Sequence, residues 1–369
     1  MKTYSCQCGV RLHFENTLCV SCQRELGFLP DIRLLSALEP RGDNLWQATA
    51  NKSSYRKCRN YSDHHVCNWM VPESDNHAYC YSCRLSEIIP DLSNPNNLKL
   101  WGLIENAKRR LLYSLLWLDL PIVNREENPQ LGLAFHLMED QGYSEFAQDM
   151  PLQDAVFTGH RNGIITLNIA EANPVSREQT RAHMDENYRT LLGHFRHESG
   201  HYYWDVLLRN SPRIDEFRAL FGDERIGYGD VMQGYYANGP VANWQTNWIS
   251  GYASAHSWED WAETWAHYLH MIDSMETAND YGFDLGSTNE HTPRMQQFNA
   301  DYLASISIHD LVNEWSHFTV ALNDMNRSMG LPDAYPFVLT DTIIQKLAFV
   351  HSVIIDQSRS GRESKSISN

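Results

Sequence analysis

Residues 100–118, LWGLIENAKRRLLYSLLWL, place apolar side chains three and four apart, the period of one helix face. The same period predicts a long helix over roughly 178–209 and further helices at about 258–277, 294–304, 308–329 and 339–356. Two stretches depart from it. NPQLGLAFHLM at 128–138 is one. In the other, DAVFTGHRNGIITLNIAEA, a Gly-containing turn precedes alternation from Ile164 to Ile169, which predicts a hairpin or an edge strand. Such a strand suits a cleft rim, where an extended peptide could add as a further strand. Residues 222–257, rich in Gly, Asn, Tyr and Trp, read as loops. PDLSNPNNLKL at 90–100 reads as a domain boundary, and the polar SRSGRESKSISN as a frayed tail. The expected organisation is an α+β chain. A small β-rich domain covers 1–92, a mainly helical domain with a small sheet covers 93–357, and a tail covers 358–369.

Composition narrows the partners. The chain has 369 residues, 42% of them hydrophobic, enough for one large core and a small one. Asp and Glu number 46 against 30 Lys and Arg, a formal net charge of −16. Phosphate backbones and anionic lipid repel such a surface, so nucleic acid and membrane are not expected partners. Eleven Trp and 18 Tyr set it apart from a disordered acidic chain. The opening MKTYSCQCGV holds no apolar stretch of signal-peptide length, and no segment approaches a membrane span. A cytoplasmic protein is expected.

All eight cysteines lie before residue 84, which in that compartment points to metal rather than disulfides. Cys6 and Cys8 form C-x-C, and Cys19–Cys22 and Cys80–Cys83 form C-x-x-C; Cys58 and Cys67 stand between. Two thiolates on one tight turn reach the same ion. Chain order groups Cys6, Cys8, Cys19 and Cys22 on one zinc and Cys58, Cys67, Cys80 and Cys83 on another, with a crossed grouping the alternative. Four thiolates leave no position for substrate, so both zincs are expected to be structural. With acids and bases balanced over 1–90, protein contact or plain folding support suits this region better than nucleic acid.

The stretch HFRHESGHYYWD carries the chemistry. On a helix, His197 and His201 share one face and can bind one ion through ring nitrogens. Glu198 then projects beside the ion, within hydrogen-bond reach of a water held there, as general base. A catalytic zinc needs a third protein ligand and an open position. SAHSWEDWAETWAHYLHM supplies Glu259 as that ligand, with Glu263 one turn on to orient a ligand histidine. Asp260 points elsewhere and reads as a surface or capping residue. Asp205 shares the motif face but lies about 12 Å along the helix from His197, so it reads as an orienting or ion-pairing residue. His267 and His270 read as packing or surface residues. Tyr252 could donate to the oxyanion of a tetrahedral intermediate, with His256 as a second candidate.

HFRHESGHYYWD and SWEDWAETWAHYLHM together resemble the bacterial zinc-binding metallopeptidase family that carries an N-terminal zinc ribbon. YRKCRNYSDHHVCNWMVPESDNHAYCYSCRL is similar to that family's ribbon region. More broadly, the pattern resembles gluzincin-type zinc proteases. The resemblance implies a zincin-like helical domain after a zinc ribbon and a peptide or protein substrate. The eight cysteines and the His197, His201 and Glu259 set themselves predict one catalytic and two structural zincs. In some gluzincins a tyrosine just before the third ligand stabilises the oxyanion, which favours Tyr252. Two alternatives stay open: a non-catalytic interaction scaffold, and a zinc amidase acting on a non-protein amide.

Overall fold

The computed structural model describes residues 2–140, 156–183, 190–283 and 298–367. Strands β1 (Tyr4–Ser5) and β2 (Arg11–Leu12) pair as a short ribbon. Strands β3 (Leu26–Leu29), β4 (Leu34–Gly42), β5 (Leu45–Ala48), β6 (Ser54–Lys57) and β7 (Met70–Pro72) form an antiparallel meander in chain order, with helix α1 (Arg59–Ser62) before β7. Strand β8 (Ser86–Ile88) and helix α2 (Pro95–Trp117) follow. Strands β9 (Ala134–Met138), β10 (Gly159–Arg161) and β11 (Ile164–Asn168) complete a second sheet of order β10-β11-β9-β8. The remainder is helical: α3 (Pro174–His183), α4 (Leu191–Leu207), α5 (Ile214–Phe221), α6 (Tyr228–Asn238), α7 (Ser257–Asp280), α8 (Ala300–Ser305), α9 (Ile308–Ser328) and α10 (Asp341–Ile367). The chain is thus α+β, strand-rich first and helical afterwards.

Two compact units divide the chain, one comprising Met1–Trp117 and Ile122–Phe195, the other Leu118–Pro121 and Arg196–Asn369. The first therefore runs through the Pro/Asn-rich stretch at 90–100. Its meander packs around an aromatic cluster in which Phe28 and Trp69 lie 4.8 Å apart and Phe14 and Tyr113 5.5 Å apart. Asn162 and Gly163, both at positive φ, turn β10 into β11 as a tight hairpin. The expected hairpin is present, but β11 is not an edge. β10 occupies one side and β9 the other, so β11's backbone groups are already paired.

In the second unit the motif-bearing part of α4 lies against α7, and α7 packs on α5 and α10. Gly200, inside the motif, sets the spacing. A Cβ there would stand 2.8 Å from the Ala262 Cα and 3.2 Å from Trp265. Because the position is bare, the Trp261 indole donates to the Gly200 carbonyl at 2.8 Å and the Trp265 indole to Ser199 Oγ at 3.1 Å.

Several expectations change here. The span 178–209 is not one continuous helix: α4 starts anew after Thr190, whose hydroxyl accepts from Gly193 N–H, while 184–189 lie outside the described residues. The predicted helix at 294–304 shortens to α8, with 294–297 also outside them. The loop region 222–257 contains α6, closed by Gly239 at φ 77°. The polar tail continues α10 to Ile367, with Ser358 still buried. Asp260 is neither exposed nor a cap: it is fully buried and receives Lys346 Nζ at 2.6 Å.

Gly200→Ala is expected to force α4 and α7 apart at a cost of about 1–3 kcal/mol. A lowered thermal midpoint would register it; an unchanged midpoint would mean the helices separate freely.

Candidate metal centre

Three groups of side chains among the described residues can each hold a metal ion: Cys6, Cys8, Cys19 and Cys22; Cys58, Cys67, Cys80 and Cys83; and His197, His201 and Glu259. The cysteines group in chain order rather than crossed. Sulfurs lie 3.6 Å apart for Cys6–Cys22 and Cys8–Cys19, and 3.7 Å apart for Cys67–Cys80. Tetrahedral zinc with bonds near 2.3 Å separates its sulfurs by about 3.8 Å, so the clusters fit zinc. Backbone N–H groups of Trp69 and Cys80 donate to Cys67 and Cys58 at 3.3 Å, which suits thiolates.

The third group lies where α4 meets α7. Helical spacing puts His197 and His201 on one face of α4, and Glu259 and Glu263 on one face of α7. His256 starts α7: its Nδ1 accepts from Trp258 N–H at 3.0 Å. Glu259 therefore falls in the first turn, where the helix dipole favours a carboxylate. The His197 and His201 Nε2 atoms lie 3.1 Å apart, and Glu259 Oε2 is 3.0 Å from the first and 3.4 Å from the second. Tetrahedral zinc with bonds near 2.0–2.1 Å imposes about 3.3 Å between ligand atoms. Two acceptor nitrogens and a buried carboxylate oxygen converging on one point fit that ion. Burial alone would raise the Glu259 carboxyl, but the His201 and His197 rings hold it well below the usual carboxylate range.

A second set of contacts fixes this triangle. Glu263 Oε1 accepts from His197 Nδ1–H at 2.7 Å, which directs the bare Nε2 toward the other ligand atoms. Ser250 Oγ donates to the other Glu263 oxygen at 2.6 Å. Tyr228 Oη donates to Glu259 Oε1 at 2.6 Å. Sequence reasoning missed Ser250 and Tyr228. Both sit in the stretch read as loop, 13 and 31 residues from their partners, with no periodicity to link them.

Glu198 is buried, and its Oε2 has no hydrogen-bond partner within the protein. Burial pushes its carboxyl up, against the pull of His197 and His201. The Tyr252 ring lies 5.8 Å from the His197 ring, and burial raises its phenol well above the ordinary value. His256 is occupied: with Nδ1 accepting, its Nε2 donates to the Ile226 carbonyl at 3.1 Å. Asp205 pairs with Arg209 at 2.5 Å. His267 Nδ1 meets Tyr335 Oη at 2.9 Å, and His270 packs on Trp315 and Tyr335, both as packing residues. No described helix is long and apolar enough to cross a membrane.

Comparison with known proteins adds family context. Residues 97–353 match the family described as "Putative zinc-binding metallo-peptidase", and residues 3–94 match a zinc-ribbon domain. Curated relatives from Mycobacterium tuberculosis and Mycobacterium bovis, each named only as an uncharacterized protein, are 39% identical over 359 residues, 96% of this chain and 95% of theirs. No solved structure matches the chain.

Glu259→Ala is expected to abolish metal binding at the His/Glu group and leave both cysteine groups loaded. Glu263→Ala, which only frees the His197 ring, should weaken binding about 10–100-fold. Chelator competition with elemental analysis measures both; the reverse order would exchange the roles given to the two carboxylates.

Proposed function

The chain belongs to the zinc-binding metallopeptidase family, and from that premise we propose that it hydrolyses peptide bonds with one zinc held by His197, His201 and Glu259. The observation that carries this reading is Glu198. A buried carboxylate oxygen without a protein partner is costly, and catalysis gives it a use beside three converging ligand atoms. A purely structural metal site would need no such group.

In this reading residues 93–357 are a gluzincin-like catalytic domain and residues 1–92 a ribbon with two structural zincs. Eight cysteines kept as thiols, with no disulfide among them, suit a reducing, cytoplasmic setting. The acidic surface suits a peptide or protein substrate better than nucleic acid.

When bound, zinc supplies a Lewis acid that polarises a carbonyl and makes water more acidic. The chain's own residues do the rest. Glu198 takes a proton from the attacking water as its oxygen bonds to the peptide carbonyl carbon. It then delivers that proton to the leaving amine nitrogen as the C–N bond breaks, so the carboxylate is regenerated. The raised Glu198 pKa suits both transfers. Tyr252, with its phenol kept protonated by burial, donates to the developing oxyanion. Glu263 and Ser250 hold the His197 ring in one tautomer.

Protein purified without added metal should carry three zinc ions per chain by elemental analysis; a value near one, with freely reactive thiols, would remove the ribbon zincs. Against a mixed peptide library, Glu198→Gln should keep its zinc and lose about 10²–10⁴-fold in turnover. Tyr252→Phe should lower kcat about 10²–10³-fold with KM little changed. A fully active Glu198→Gln protein would refute the hydrolase reading.

A further inference from the structure

Tyr228 stands in an unusual position for a residue that touches the metal group. It opens α6, an 11-residue helix from which only Met232 reaches the core. The tyrosine itself is 41% exposed, yet its hydroxyl ends 2.6 Å from Glu259, which is 1% exposed. The ring packs edge-on against His256 at 5.3 Å and Trp258 at 6.0 Å. Elsewhere along this stretch Arg218 donates twice to Glu224, and the Tyr235 ring packs on Tyr252 at 5.7 Å. Gly222 and Gly239 precede and follow the segment at φ 99° and 77°, conformations that side chains other than glycine rarely adopt. Residues 225–230 are all exposed, and the backbone there is tied by the Arg225 N–H bond to Asp223 at 3.0 Å and the His256 bond to the Ile226 carbonyl at 3.1 Å.

The two Glu259 oxygens have different partners. Oε2 faces the histidine nitrogens at 3.0 and 3.4 Å, and Oε1 receives the Tyr228 hydroxyl. A carboxylate free to rotate could present both oxygens to one ion. One whose outer oxygen is engaged presents a single oxygen, which leaves a coordination position for substrate. We infer that Tyr228 is a positioning residue that holds Glu259 as a one-oxygen ligand and thereby links the order of α6 to occupancy of the His197–His201–Glu259 site. This rests on the proposed zinc site. Linkage is reciprocal: if the Tyr228 bond strengthens metal binding, metal must strengthen the Tyr228 bond by the same factor. The helix carrying Tyr228, in which Met232 is the one buried residue, is then the element that changes.

The test uses the full chain and zinc itself. Tyr228→Phe keeps the ring and removes only the donor, and should weaken zinc binding at the His/Glu site about 10–100-fold in chelator competition. The cysteine-bound zinc should be retained. Tyr236→Phe, on the exposed face of the same helix, should leave that affinity unchanged. Hydrogen exchange supplies a readout that a packing role would not move. Amides of residues 228–238 should slow on zinc addition in the unaltered protein, and should lose that response in Tyr228→Phe. Unaltered affinity in Tyr228→Phe would overturn the positioning role. Exchange indifferent to zinc in the unaltered protein would overturn the link to α6, even if the variant failed to fold. An unaltered protein that binds zinc only through its cysteines would instead overturn the zinc hydrolase reading, and this inference with it.

Discussion

Two helices can hold one ion between them only if their backbones come close, and here that closeness depends on Gly200. Ala262 and Trp265 occupy the space a side chain at position 200 would need. Their proximity lets two tryptophan indoles bond directly to α4, at the Gly200 carbonyl and Ser199. Those bonds fix how α7 sits along α4, and so where Glu259 and Glu263 arrive relative to His197 and His201. The glycine just before the motif's second histidine thus shapes the candidate metal group without belonging to it.

The polar side chains of the centre are arranged in order of constraint. His197 is held from behind by Glu263, and Glu263 in turn by Ser250. Glu259 gains from its place in the first turn of α7, a turn capped by a histidine that sequence reasoning considered for chemistry. Two buried carboxylate oxygens here, Glu259 Oε2 and Glu198 Oε2, have no hydrogen-bond partner; the first faces the histidine nitrogens, and the second stands outside that triangle.

What was legible in the sequence followed periodicity. His197, His201, Glu259 and Glu263 each lie one turn from a partner, so the 3.6-residue repeat alone assigns their faces. The cysteine pairs are legible for a similar reason, because C-x-C and C-x-x-C bring two sulfurs to one turn. The hairpin was legible from Asn162-Gly163, but not that β11 lies inside its sheet, since strand order depends on β8 and β9 from distant chain. Tyr228 and Ser250 reach the site by tertiary packing across a glycine-rich stretch with no repeat to project. Asp260 was misread because an acid in a helix's first turn ordinarily faces water. Only Lys346, 86 residues later, makes its burial tolerable.

That buried pair has a consequence for how the helical unit assembles. Lys346 donates to the buried Asp260 where α10 crosses α7, and to the carbonyl of Asn247 nearer the surface. Apolar contacts between two long helices are forgiving, and sliding one helix by a turn exchanges one set of methyl contacts for another. A buried ammonium is not forgiving: one turn of slippage, about 5.4 Å, would strand both charges in a low-dielectric interior. The pair therefore acts as a registration key, rejecting near-correct arrangements that hydrophobic packing would accept. Because Asp260 adjoins Glu259 in the chain, the alignment it enforces is inherited by the carboxylate of the candidate metal group.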